Sequence, residues 1–135
     1  MVPERIIRQA TPEEVAKETS LPFTRAKIEE IAEENPTPFF IYDEEGIRQN
    51  ARRFKEAFSW ASNFRNFFAV KALPNPHILR ILQEEGFGAD CSSLGELEMA
   101  KRVGLRGEEI MITSNNTPAE EFALAKELDA IINLD

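Results

Sequence analysis

The sequence contains a single cysteine, Cys91, and a single histidine, His77, among its 135 residues. One cysteine excludes an internal disulfide framework and a cysteine-cluster metal site, and it favours a reduced, cytosolic setting. The apolar runs are far shorter than the roughly 18 residues that span a bilayer. The amino terminus also lacks the long apolar core of a signal peptide. We therefore expect a cytoplasmic protein that does not interact with membranes.

Basic residues are in the minority, with 16 Lys and Arg against 24 Asp and Glu and a formal net charge of −8. Binding to duplex nucleic acid needs clustered Lys and Arg, so the sequence predicts no nucleic-acid partner. Glycine-rich phosphate-binding motifs are also lacking. Apolar residues at 42% and charged residues at 30% are typical of a globular chain. The length suits one domain or part of a larger one.

Residues 1–36 are polar and predominantly helical in pattern. Thr11 followed by Pro12 is typical of a helix start, with a capping side chain and a proline in the first turn. A second helix is predicted over Thr24–Glu34 and ends at the prolines that follow.

From residue 37 onward, short apolar runs alternate with helical patterns. The predicted strands are Phe39–Tyr42, Phe67–Val70, Phe87–Ser92, Ile110–Thr113 and Ala130–Leu134. One helix is predicted from apolar residues that recur at helical spacing from Ile47 to Phe58. Three further helices are predicted over Pro76–Glu85, Leu94–Val103 and Thr117–Leu128. Each strand is continuously apolar, which indicates burial on both faces. Such strands are typical of a parallel sheet with crossover helices, and hence of the α/β class.

The carboxyl ends of the strands mark the candidate site, because ligands of such folds bind beyond those ends. The residues at these ends are Lys71, Asp90–Ser93, Ser114–Asn116 and Asp135. We expect them to lie along one edge of the sheet.

Lys71 follows one predicted strand directly, and Asp90 ends the next. Partial desolvation at a strand end disfavours the charged ammonium and suits an amine that attacks a carbonyl. Adjacent parallel strands would bring Asp90 within about 5 to 10 Å of Lys71, where a carboxylate could stabilise a protonated amine or imine. The alternatives are a strand-end lysine that reaches solvent and an aspartate that caps a turn or helix.

Other polar positions have simpler interpretations. Ser93 and Glu96 have the spacing of a capping box. Ser114–Thr117 has the composition of a strand-to-helix loop with an N-cap, although its polar groups could line a pocket. His77 is typical of a surface position at a helix start, and Cys91 of a small buried residue. Without a histidine or cysteine partner, the sequence predicts no metal site.

Three collinear segments resemble a known enzyme family. They are Thr37–Asp43 (TPFFIYD), Phe68–Ala72 (FAVKA) and Gly88–Glu96 (GADCSSLGE). Together they closely resemble the amino-terminal part of the pyridoxal-phosphate-dependent basic amino-acid decarboxylases. These are alanine-racemase-like barrel enzymes, among them the diaminopimelate and ornithine decarboxylases. The similarity runs from about Pro36 to Asp135.

The resemblance implies a cofactor, pyridoxal 5′-phosphate, and residues that bind it. Lys71 corresponds to the lysine that forms the Schiff base with the cofactor, which makes it the candidate catalytic residue. Asp90 corresponds to the family aspartate close to that bond. The further cofactor-binding positions that the resemblance implies are Ala69, Ser93, Ser114 and Asn115.

The implied reaction is the decarboxylation of a basic amino acid, with meso-diaminopimelate, converted to lysine, as the best assignment. Leu94 stands where diaminopimelate decarboxylases usually have glycine, and the Asp90–Ser93 string is closer to the ornithine type. Ornithine, arginine and carboxynorspermidine are therefore alternative substrates. The resemblance also implies a homodimer in the full-length form. The phosphate-binding residues and the cysteine from the partner subunit are expected beyond Asp135.

The predicted fold is the amino-terminal half of a (β/α)8 TIM-type barrel. Residues 1–36 form a helical leader, residues 37–135 form a partial pyridoxal-phosphate-binding barrel domain, and Phe39–Tyr42 is one strand of a second β-domain. A whole barrel needs about 250 residues, so we expect a truncated portion of a longer enzyme. The alternatives are a non-catalytic decarboxylase-like module that associates through its open sheet edge, and a small racemase-like barrel that shares Lys71.

Overall fold

The structure, a computed structural model, describes Thr11 and residues 21–134. The chain divides into two compact units, residues 1–43 and residues 44–135. No helix of the described residues is long and apolar enough to cross a membrane. The domain boundary predicted at residue 36 stays a prediction, and the helix predicted after Pro12 lies outside the described residues.

The described part of the first unit contains helix α1, Arg25–Glu34. Thr24 caps it, because the Thr24 side chain accepts a hydrogen bond from the Lys27 N–H at 3.2 Å. The helix predicted over Thr24–Glu34 is thereby confirmed.

The strand predicted over Phe39–Tyr42 is wrong. A strand needs ladder hydrogen bonds to a neighbour, and within residues 21–134 no segment pairs with these residues. The rings of Phe40 and Tyr42 instead stack on each other, with centroids 6.5 Å apart, and both are exposed. An apolar run rich in β-formers favours a strand but cannot supply a partner for it.

The second unit alternates helices and strands around one sheet. Its helices are α2 (Glu44–Ala57), α3 (Pro76–Glu84), α4 (Leu94–Val103) and α5 (Ala119–Glu127). Its strands are β1 (Phe67–Ala69), β2 (Gly88–Cys91), β3 (Ile110–Thr113) and β4 (Ile131–Asn133). The sheet order is β1-β2-β3-β4, with every neighbouring pair parallel. Sequential parallel strands with intervening helices are the arrangement of a (β/α) barrel segment, so the predicted fold class is confirmed.

Side-chain alternation gives the sheet two different faces. On the helix-covered face, Ala89, Cys91, Ile110 and Ile112 are buried together with Leu97 of α4. The residues between them point the opposite way. We call this opposite side the inner face, and it consists of Phe67, Ala69, Gly88, Asp90, Met111, Thr113, Ile131 and Asn133.

Ion pairs join α2 to the end of α3. The Arg52 guanidinium donates two hydrogen bonds to the Glu85 carboxylate, from Nε to Oε2 at 2.9 Å and from Nη2 to Oε1 at 2.7 Å. Arg48 Nη2 lies 2.6 Å from Glu84 Oε2. The Arg52 guanidinium holds the pKa of Glu85 below its ordinary value. Helix α3 is thereby attached to α2 at its carboxyl end.

We predict opposite effects for alanine substitutions at two glycines. A Cβ at Gly88 would lie 2.6 Å from Phe67 Cδ1 and 2.7 Å from the Glu109 carbonyl oxygen, whereas a Cβ at Gly95 meets nothing within 4 Å. Gly88→Ala should lower the free energy of unfolding by about 1–3 kcal/mol. Gly95→Ala, inside α4, should raise it by about 0.5–1 kcal/mol. Urea denaturation measures both, and equal effects would contradict the packing described for β1, β2 and β3.

Candidate functional site

Lys71 lies in a short 3₁₀ turn, Val70–Ala72, that follows β1. Val70 is fully buried, but the Lys71 side chain is exposed. The prediction of a partly desolvated lysine is therefore wrong for this structure, because the strand ends at Ala69 and the turn carries the next side chain to solvent. Within residues 21–134, no group makes a hydrogen bond or ion pair with the Lys71 amine. The amine is accessible to a carbonyl compound.

Asp90 is a residue of β2 and lies on the inner face. It pairs in register with Ala69 of β1 and with Met111 of β3. Since parallel neighbours lie about 4.8 Å apart, Asp90 is directly beside the residue that precedes the Lys71 turn. The alternative of a turn or capping aspartate is wrong, because the N-cap of the next helix is Ser93.

The Asp90 carboxylate has an unusual environment. Its Oδ1 atom is buried and has no hydrogen-bond partner among the described residues. Burying a carboxylate oxygen without a partner costs free energy, so such an atom needs an explanation, such as a ligand that donates to it or carries positive charge. The structure therefore places a buried, unsatisfied acceptor on the strand beside the one that leads to the accessible Lys71 amine.

The segment after β2 is fixed by capping hydrogen bonds. Ser93 Oγ accepts a bond from the Glu96 N–H at 3.4 Å, as predicted for an N-cap. Glu96 Oε2 accepts from the Ser92 N–H at 2.7 Å, one residue earlier than a standard capping box requires. The Ser93 hydroxyl is thus engaged in the helix cap, and its predicted contact with a cofactor stays a prediction.

Ser114 and Asn115 follow β3 in a turn, so they lie at the same edge of the parallel sheet as the Lys71 turn. Ser114 is half-buried and Asn115 is exposed. The predicted cap at Thr117 is wrong, because the Thr117 hydroxyl donates to the Ser114 carbonyl at 3.0 Å and Pro118 takes the N-cap position. Asp135, the remaining strand-end candidate, lies outside the described residues.

Two inner-face residues were missed by the sequence reasoning. Thr113 and Asn133 pair in register, and Asn133 Nδ2 donates to Thr113 Oγ1 at 3.4 Å. Both lie in the row beyond Asp90, at the strand ends that face the candidate site. A two-residue alternation, Met111 with Thr113 and Ile131 with Asn133, was the signal that could have found them.

Cys91 is buried and His77 lies at the surface, as the sequence predicted. Burial raises the pKa of the Cys91 thiol to about 12, with smaller contributions from the carboxylates of Glu96 and Asp90, so the thiol stays protonated. His77 is exposed at the start of α3, where its backbone N–H donates to Asn75 Oδ1 at 2.9 Å. Across the described part of the chain, no group of three or more His, Cys, Asp or Glu residues could hold a metal ion.

Comparison with known families yields one domain match. The family model described as pyridoxal-dependent decarboxylase, pyridoxal binding domain, matches residues 44–135. These are the residues of the second compact unit.

Curated relatives agree with the domain match. Protein TabA of Pseudomonas amygdali pv. tabaci is 48% identical over 108 residues, which are 80% of this chain and 26% of that protein. Diaminopimelate decarboxylase of Methanothermobacter thermautotrophicus is 41% identical over 107 residues, 78% of this chain and 25% of that enzyme. The chain thus spans about a quarter of the length of these relatives.

Solved structures have the same fold. Diaminopimelate decarboxylase from M. jannaschii, in co-complex with L-lysine, superposes with a TM-score of 0.74 at 35% identity, over 78% of this chain and 26% of that one. Lysine decarboxylase from Selenomonas ruminantium gives a TM-score of 0.75 at 22% identity, over 85% of this chain and 31% of that one, and supports the fold alone.

We predict that Cys91 is chemically silent in the folded protein. Its side chain is fully buried, so a reagent cannot reach the sulfur, and its pKa is raised to about 12, so the reactive thiolate does not form at neutral pH. Iodoacetamide at pH 7.5 should leave the native thiol unlabelled, while the protein in denaturant should be labelled stoichiometrically. Mass spectrometry distinguishes the two, and rapid labelling under native conditions would contradict the burial of this strand.

Proposed function

This chain belongs to the pyridoxal-dependent decarboxylase family, whose pyridoxal-binding domain occupies residues 44–135, and we propose that it binds pyridoxal 5′-phosphate for the decarboxylation of a basic amino acid. The observation that carries the proposal is the buried, unpartnered Asp90 Oδ1 beside the strand that leads to Lys71. An unsatisfied carboxylate oxygen on the neighbouring strand suits a cofactor that bonds covalently to the Lys71 amine and carries a positive charge.

The residues present fit this cofactor. The Lys71 amine is accessible for covalent attachment to the cofactor aldehyde. Asp90 Oδ1 supplies negative charge on the inner face, which favours a protonated nitrogen nearby. Ala69 ends in a methyl group and leaves room beside Asp90, and the further polar positions proposed to contact the cofactor are Ser93, Ser114 and Asn115. When bound, pyridoxal phosphate accepts the electron pair left by the departing carboxylate.

We propose meso-diaminopimelate as the substrate, with lysine as product, which would place the protein in lysine biosynthesis. Support comes from the relatives named diaminopimelate decarboxylase and from the solved diaminopimelate decarboxylases that hold L-lysine. The likeness to protein TabA, whose name states no substrate, keeps ornithine, lysine, arginine and carboxynorspermidine as alternatives.

A homodimer and a cytoplasmic location belong to the same proposal. The dimer follows from the family resemblance, in which the partner subunit contributes a cysteine to the site. The location is supported by the single, buried cysteine, which suits a reducing compartment.

One observation favours a second candidate function, a non-catalytic module that associates through its sheet edge. Ile131 and Ile132 of the edge strand β4 are 37% and 39% exposed. An exposed apolar edge strand is a template for pairing with another chain. Size-exclusion chromatography tests this candidate, and a compact monomer would count against it.

We predict that Lys71 carries the cofactor. The protein incubated with pyridoxal phosphate and reduced with borohydride should give one modified tryptic peptide, the one that contains Lys71. Lys71→Ala should abolish both the modification and the yellow colour of the bound cofactor. Lys126→Ala is the matched control, since Lys126 is an exposed lysine on α5, and it should leave both unchanged. Modification elsewhere, or none, would overturn the proposed function.

We predict a substrate preference that can be measured as carbon dioxide release. The protein should be assayed with diaminopimelate, ornithine, lysine, arginine and carboxynorspermidine in parallel. We expect kcat/KM for meso-diaminopimelate to exceed that for each of the others by at least roughly 100-fold, because a site built to bind the distal carboxylate of diaminopimelate discriminates strongly against substrates that lack this second carboxylate. A higher kcat/KM for ornithine would reassign the substrate within the family.

A further inference from the structure

Glu121 is a buried charged residue to which the proposed function gives no part. Its exposure is 8%, and it lies in the first turn of α5. Glutamate is rarely buried to this extent unless it is paired. No cation pairs with its carboxylate among the described residues, and the one hydrogen bond that this carboxylate accepts comes from a backbone N–H.

The contact made by Glu121 crosses between two strand–helix units. Glu121 Oε1 accepts a hydrogen bond at 3.0 Å from the backbone N–H of Leu94, the first residue of α4. Glu121 belongs to the helix after β3, whereas Leu94 begins the helix after β2. The carboxylate therefore ties the β2–α4 connection to the neighbouring unit.

The burial of Glu121 is costly, which makes the single bond significant. Its Oε2 atom is buried and has no partner among the described residues. An apolar side chain of similar size would fill this space without that desolvation cost. What the carboxylate adds is a charge-assisted bond to a helix N-terminus, where the amide groups lack partners and negative charge is stabilising.

The tied segment is the one that follows Asp90. Ser92 is held by Glu96, and Leu94 is held by Glu121. The Asp90 side chain makes no hydrogen bond with any described residue, so the backbone of β2 and the segment after it determine where its carboxylate lies.

We infer that Glu121 is a positioning residue, which fixes Cys91–Leu94 and through it the Asp90 carboxylate. The inference deepens the proposed function, on which it rests for the role of Asp90. It makes a residue on α5 responsible for the geometry of a group on β2.

The test compares three variants of the protein. Glu121→Ala removes the acceptor, Glu121→Gln keeps an acceptor oxygen but removes the charge, and Glu120→Ala removes the exposed carboxylate one residue earlier in the same helical turn. Three quantities are measured: amide hydrogen exchange at Ser92 and Leu94, the NMR chemical shift of the Asp90 carboxyl carbon without cofactor, and the affinity for pyridoxal phosphate. Circular dichroism checks that each variant is folded at the working temperature.

We expect Glu121→Ala to speed amide exchange at Leu94, to move the Asp90 carboxyl resonance, and to weaken pyridoxal phosphate binding roughly five- to tenfold, as for the loss of one hydrogen bond. In Glu121→Gln, each of the three quantities should lie close to its value in the parent protein, and Glu120→Ala should match the parent protein. If Glu121→Ala does not fold, the test compares Glu121→Gln with Glu120→Ala. We then expect a small shift of the Asp90 carboxyl resonance in Glu121→Gln and no shift in Glu120→Ala.

Two results would overturn the inference. One is faster exchange at Leu94 with an unmoved Asp90 resonance, which would leave Glu121 as a helix cap only. The other is an equal response of all three variants. Failure of the proposed function has a different appearance: the parent protein would not bind pyridoxal phosphate at Lys71, while the Asp90 resonance would still report on the link to Glu121.

Discussion

The parallel register of β1, β2 and β3 is the constraint on which the site depends. It sets Asp90 between Ala69 and Met111 and gives all three the same face of the sheet. A shift of one residue in β2 would exchange the faces, so that Asp90 would enter the packed helix side and Cys91 the inner face. Gly88 allows this register, because Phe67 and the Glu109 carbonyl occupy the space that any larger side chain would need.

The connections on either side of the site are held by interactions of different physical character. Helix α3, which follows the Lys71 turn, is attached to α2 by ion pairs that each join a mostly buried side chain to an exposed one, Arg48 to Glu84 and Glu85 to Arg52. The start of α4, which follows Asp90, is held by Glu121 and Glu96 in a half-buried setting. The helix after the amine is thus held by pairs of charged side chains, and the helix after the carboxylate by bonds from carboxylates to backbone amides.

Local signals in the sequence predicted much of this fold. Helix α4 was predicted over its observed span, because Ser93 caps its start and Gly104, with φ of 106°, ends it. Strand β3 also has its predicted bounds, and the apolar runs correctly indicated a parallel sheet. Periodicity and capping residues act within a few positions, and these elements depend on little else.

What the sequence did not reveal depends on distant or irregular structure. The exposure of Lys71 follows from a 3₁₀ turn that the spacing of apolar residues does not predict. Phe39–Tyr42 had the composition of a strand but found no partner within the described residues. Glu121 bonds to an amide 27 positions earlier, and its own neighbours in the sequence look like an ordinary acidic first turn.

The alternation of side chains along β2 also has a consequence for chemical selectivity. An aldehyde reacts with thiols as well as with amines, and the one thiol of the chain lies immediately after Asp90. Because Cys91 faces the helices and is fully buried, its sulfur is kept on the far side of the sheet from the inner face. A carbonyl compound beside Asp90 on the inner face would not meet this sulfur, because one step along β2 places the Asp90 carboxylate and the Cys91 thiol on opposite faces of the sheet.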